Sequence, residues 1–386
     1  MIKDADRADA GQRSGRFTEA QLPQLLIDLN QYRVRPVRSQ SPMAAEKIPS
    51  SSRVVHINAA AAPGGDGQTW TTAHASLQAA IDDAGKDGAE VHVAAGTYRL
   101  GSDRKASFVL RPCVRVLGGY RGDERDPTKY PTVLDGNHTY HVVVGANGAT
   151  LDGLTITGGH ADGDGYDGKG GGLISYRRAP QDRPGSPVVT GFTMTLNRCT
   201  FANNYARDGG AVYSYDRAKS VFTDCVFAGN RAENGGAVLD RVGVESIFKG
   251  CEFTGNSAQW RGGAAYFDYG ARPQMTGCVF RRNTAGGHGG AIFSASRASQ
   301  LENTVVLLTG CRFEGNRAKG YGGAANFHDS SLAAVEDCAF AANTAGLKGD
   351  AVALTGSSTW QSGSRAPTGP DVYQAPMRGR PPGTTR

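Results

Sequence analysis

The sequence predicts an all-β solenoid of about 26 residues per coil, on three observations. One phrase begins at Cys199, Cys225, Cys251, Cys278, Cys311 and Cys338, each followed by Phe two residues on, Asn three further and Ala two beyond that. The copies start 26, 26, 27, 33 and 27 residues apart, a period typical of stacked repeats whose neighbours bury what one repeat cannot. Within the period nothing recurs at helical spacing, and Gly pairs punctuate the copies until the last, which reads Gly349-Asp350.

Taken in chain order, residues 1–53 come first and read apart from the repeats. Leu22, Leu25, Leu26, Leu29 and Tyr32 lie at helical spacing in Thr18–Arg33, with Pro23 near the first turn, which predicts a short amphipathic helix. Such a helix would cover the open end of the solenoid, or dock a partner. Residues 34–53, rich in Ser, Pro and Arg, read as a linker. The solenoid is expected over 54–357, and the Gly-, Ser-, Pro- and Thr-rich residues 358–386 as a disordered tail anchored at most by Trp360 or Tyr373.

Within a copy, Cys225 and Phe227 stand two apart on a strand and therefore face one core, while Val226 between them is free to vary. Asn204, Asn230, Asn256, Asn283, Asn316 and Asn343 fall where the chain turns, where a stack of amides can bond from coil to coil. Gly209-Gly210 and its equivalents supply the backbone freedom for the next corner. A seventh, imperfect coil precedes these, with Leu154, Ile156, Gly159 and Ala161 in the Cys, Phe, Asn and Ala places. Six cysteines in one inward ladder are expected as free thiols, with Cys113 alone.

Charge is concentrated at the ends. The net charge is +6, and the first 53 residues carry nine Lys or Arg against six acids, the last 29 four against one. The solenoid is neutral, which argues against nucleic acid as a partner, since that needs cations gathered on one working face. No apolar run is long enough to span a membrane, and Met1–Arg16 lacks the apolar stretch of a classical signal peptide. An extracellular or cell-surface location by a route without that signal is the expectation, with a cytoplasmic chain or a trimmed sequence as the alternatives.

The Asn-corner and Gly-Gly-Ala phrases resemble the repeats of polymorphic outer membrane proteins and related right-handed parallel β-helix proteins of bacteria. Gly64-Gly65-Asp66-Gly67, Trp70, the helical Leu77-Gln78-Ala79-Ala80-Ile81, Ala95-Gly96-Thr97-Tyr98, Gly118-Gly119-Tyr120 and Thr132–Gly136 resemble the usual opening of such domains. The resemblance covers residues 54–357 and implies a right-handed parallel β-helix of pectate-lyase-like fold. It leaves activity open, since this architecture carries adhesins, phage spikes, lyases and hydrolases alike.

Candidate functional residues come from the positions that vary after Gly-Gly-Ala. Tyr213, Leu239, Tyr266, Phe293 and Asn326 form one column, and Tyr215, Arg241, Asp268, Ala295 and His328 another two residues on. With Val212, Val238 and Ile292 pointing inward, both columns are expected to face solvent together. An aromatic stripe edged by Arg, Asp and His suits polysaccharide or a cell-surface glycan, which makes Tyr213, Tyr215, Arg241, Tyr266, Asp268, Phe293 and His328 the candidate ligand-binding residues. This favours a non-catalytic adhesin.

The enzyme alternative, a polysaccharide lyase or glycoside hydrolase, would place catalysis on Asp216, Asp240, Asp268 and His328, because a glycosidase needs two carboxylates about 5–10 Å apart. A rigid spike or spacer is the third reading. Gly287-His288-Gly289 resembles a polygalacturonase fragment, but the paired-Asp motifs of that family are missing and His288 reads as a turn residue. No cofactor is expected, except that Asp162, Asp164 and Asp167 are spaced as in a calcium loop lacking its later Glu.

Overall fold

The computed structural model describes residues 53–176, 192–296, 303–356, 358–362 and 372–374. The expected helix at Thr18–Arg33 lies outside them. The described chain winds through four sheets of 12, 9, 7 and 10 strands. One coil runs through Thr200–Ala202, Tyr205–Asp208, Val212–Tyr215 and Lys219–Thr223, and then repeats from Val226. Each strand pairs in parallel with its counterpart one coil on: Phe201 with Phe227, Ala206 with Ala232, Val212 with Val238 and Val221 with Ile247. The fold is the parallel β-helix that the repeat predicts.

The repeat residues do what their spacing implies. Cys199 to Cys311 are fully buried, and the six repeat cysteines are all free. The Phe rings stack along the axis with centroids 4.6–5.2 Å apart and planes within 6° of parallel, from Phe201 to Phe340. Burying each ring contributes roughly 2–3 kcal/mol. At the next corner every amide is used: Asn256 Oδ1 accepts from Asn230 N and Nδ2 at 3.0 Å, and Asn256 Nδ2 donates to Phe227 O at 2.9 Å. The imperfect seventh coil joins the same ladder. There Gly159 N donates to Asn204 Oδ1, and Ile156 pairs with Phe201.

The two glycines of each pair have different reasons. The first takes a left-handed backbone, φ +64° at Gly209 and +60° at Gly235. The second is excluded from carrying a side chain by its neighbour, since a Cβ on Gly236 would lie 2.1 Å from Gly263 O of the next coil. Asp350 replaces this second glycine in the last coil, where it is exposed and the seven-strand sheet beside it has ended.

At the N-terminal end the helix Leu77–Ala84, capped by the Ser76 side chain, buries Leu77, Ala80, Ile81 and Ala84 against the first strands. At the other end two strands extend the sheets past residue 357. Thr359–Ser362 pairs with Leu332–Val335, and Val372–Gln374 with Val352–Leu354. Tyr373 stacks on Tyr321 at 5.6 Å. Among the described residues no helix is long and apolar enough to cross a membrane.

Candidate functional site

The strand after each Gly pair carries most of the chemistry in this solenoid, and its alternation divides the candidate residues between two sides of one sheet. Val212, Val238 and Ile292 point into the main core, as expected. Tyr213, Leu239, Tyr266 and Phe293 turn to the opposite side with Val144, Ile174 and Ala295, but there they form a second apolar cluster. The expected open stripe is thus corrected: Tyr213 is 1% exposed, Tyr266 3%, Phe293 1% and Asp268 1%. A ring buried edge and face has no surface left on which to stack a sugar. Tyr215 remains half-buried against the cluster, as does His328 at its rim.

Several charged side chains on that face are paired with one another. Arg241 grips Asp268 through Nε at 2.9 Å and Nη2 at 2.8 Å and lies over the Tyr269 ring at 5.2 Å. Burial pushes the Asp268 carboxyl above the ordinary carboxylate range while Arg241 pulls it back. Lys169 Nζ lies 3.5 Å from Tyr213 Oη and 3.7 Å from the Asp208 carboxylate, and burial lowers its ammonium below the ordinary value. At the far end His328 contacts Asp329 at 3.0 Å and Thr355 Oγ1 at 2.7 Å.

The carboxylates proposed for hydrolysis are not gathered. Asp240 stands two residues after Val238 and shares its side of the sheet, so it is fully buried inside the coil while Asp268 is outside. Neither Asp240 oxygen makes a hydrogen bond of ordinary geometry among the described residues, nor do the hydroxyls of Ser220, Ser246 and Ser294, which are also fully buried. Burial pushes the Asp240 carboxyl up to about 7, against the nearby hydroxyls of Ser246 and Ser214. Asp216, half-buried at a left-handed turn residue (φ 53°), donates its backbone N–H to Arg241 O. Of the three aspartates spaced like a calcium loop, two lie on arginines. Asp162 is bound by Arg104 at 2.6 Å, and Asp164 is 97% exposed beside Arg207. Asp167 sits in the short turn that Asp164 opens, and no metal-binding group of three forms among the described residues.

One column escaped the sequence reading although its signal was regular. The residue directly before each Gly pair faces the Tyr213 side: Lys169, Asp208, Asn234, Arg261, His288, Tyr321 and Lys348. Asn234 Nδ2 donates to Asp208 Oδ1 at 3.2 Å, Arg261 covers Phe293 at 5.3 Å, and His288 stacks on Tyr321 at 5.5 Å. His288 Nδ1 accepts from Tyr321 N at 3.0 Å, and burial holds its ring below the ordinary histidine value, so the neutral form is favoured. This column is the lid that seals the aromatic cluster from one edge.

Comparison with known proteins agrees with the repeat. The Chlamydia polymorphic membrane protein repeat matches residues 198–215 and 277–295. No curated protein matches the chain in sequence. Among solved structures, ORF18 of Geobacillus virus E2 is similar over 91% of this chain at 12% identity and a TM-score of 0.40, and this chain spans 65% of its length. A pectin methylesterase from Aspergillus niger is similar over 86% of this chain and 92% of its own, at 9% identity and a TM-score of 0.29. One from Yersinia enterocolitica covers 78% and 94%, at 13% and 0.31. The chain is a parallel β-helix carrying repeats similar to those of the polymorphic membrane proteins.

Proposed function

We propose that this protein is a non-catalytic attachment protein, of adhesin type, displayed at the cell surface or secreted, whose solenoid wall holds polysaccharide or the glycan of a partner cell. One observation supports it above the others: the carboxylates that a hydrolase would need to share a space are split by a sheet, Asp240 inside and Asp268 outside on Arg241. A wall whose outward ion pair, Arg241 on Asp268, is closed on itself suits a rigid display surface. The repeat type, named for a membrane protein family, fits a location at the cell surface.

The test is a panel of neutral glycans and polyuronates offered to the full chain. Retention on one or more polymers, without new reducing ends or unsaturated products, is the expected result. Turnover that Asp268→Ala abolishes would overturn the proposal in favour of an enzyme, and retention on no glycan would leave the solenoid as a spacer.

A further inference from the structure

With the aromatic face sealed, the open wall lies one corner earlier in each coil. In the four coils that begin at Cys251, Cys278, Cys311 and Cys338, three residues separate the Ala from the Gly pair, whereas two do so after Ala206 and Ala232. The pairing shifts register at this point, with Ala232 opposite Ala258 but Asn234 opposite Arg261. This bulge throws the middle residue outward. The corresponding residue of the four coils is Trp260, Gly287, Gly320 and Leu347, of which the two with side chains are exposed while Gly287 is half-buried and Gly320 buried. Trp260 is 54% exposed and Leu347 58%, two of the three exposed large apolar side chains among the described residues.

Between them the wall is bare. Gly286 and Gly287 cannot carry side chains, because a Cβ would lie 2.2 Å from Gln259 O and 2.4 Å from Trp260 O of the coil before. Cations flank this strip. Arg231 and Arg317 occupy one exposed column, and Lys319 stands exposed beside Gly320. None of the three pairs with a carboxylate among the described residues, whereas Arg207, further back, is held by Asp164. The acids nearby are Glu233, half-buried at the Arg231 end, and Asp350, whose Oδ1 accepts from Ala345 N.

We infer that this wall binds a carboxylated polysaccharide laid along the solenoid axis, an inference that rests on the glycan-attachment reading. The exposed indole offers a flat face to one pyranose, and the glycine strip leaves room for the ring beside it. Arg317 and Lys319, two coils on, meet a carboxylate further along the polymer. From Trp260 to Leu347 is three coil steps, roughly 14 Å at the usual strand spacing, enough for about three or four sugars advancing one per coil.

The full chain is titrated with polygalacturonate and with dextran, at low and at high salt. Polygalacturonate is expected to bind and dextran not. Trp260→Ala should weaken binding roughly tenfold, and Arg317→Ala with Lys319→Ala should remove most of its salt dependence. All three side chains are exposed, so unchanged melting separates lost contact from lost fold. Polygalacturonate binding that ignores Trp260→Ala would overturn the inference while leaving glycan attachment intact, as would dextran binding equally well. Failure of every glycan in the wider panel would overturn attachment itself.

Discussion

Two buried polar regions of this solenoid make opposite use of the same environment. At the Asn corner, Asn204 to Asn343 recur in six successive coils, and each side chain finds its donors and acceptors in neighbouring coils. On the inner wall behind the Gly pairs, Asp240 appears in one coil only. Its register neighbours are Ser214 on one side and Phe267 on the other, and its oxygens have the Ser214 and Ser246 hydroxyls nearby but no hydrogen bond of ordinary geometry. The lesson concerns repetition. In a stack, a buried polar group is cheap when its own kind lies above and below, and costly when it is singular.

Substitutions can break that contrast. Asn256→Ala should have the largest effect, since it removes the acceptor of both Asn230 N and Asn230 Nδ2 and the donor to Phe227 O, and leaves Asn283 Oδ1 with the Asn256 backbone N–H alone. A loss of about 4 kcal/mol is expected in chemical denaturation. Gly236→Ala comes next, at roughly 3 kcal/mol, because the backbone oxygen it meets cannot move aside; Asp350→Ala, at the same place in the last coil, should cost far less.

Asp240→Ser sharpens the contrast from the other side, and should stabilise the protein by about 2 kcal/mol near pH 8. It also has a pH signature. The folded carboxyl titrates at about 7 and the unfolded one near the ordinary aspartate value. Between those limits the folded state holds a proton that the unfolded state has released. The stability this group contributes is therefore full in acid and lost as pH rises toward 7. Melting temperature should fall over that window in the native chain, and Asp240→Ser should flatten that component. Cys251→Ser, within a repeated column, is the smallest change, about 1 kcal/mol, since carbonyls of Phe222 and Lys249 already accept from that position.

Much of this was legible in the residues themselves. The Cys, Phe and Asn columns, the imperfect coil at Leu154–Ala161 and the free thiols follow from spacing alone. Asp240 was legible too, because it stands two residues from Val238 and must share its side of the strand. The column before the Gly pairs, Lys169 to Lys348, was equally regular, but its members share no chemistry and so attract no notice as a motif. Trp260 is different: its exposure depends on a one-residue bulge that shows in the sequence only as an interval of 27 in place of 26.

The sequence by itself determined the coil, its inward columns and its amide ladder, because these depend on strand alternation and on a neighbour that is a copy of the same segment. Only the tertiary structure decided which outward face meets solvent. Alternation puts Tyr213 and Tyr266 outside the main core, but whether the outside is water depends on side chains from other corners and other coils. Here Lys169, Arg241, Arg261 and His288 close over the aromatic face, while glycines leave the wall around Trp260 open.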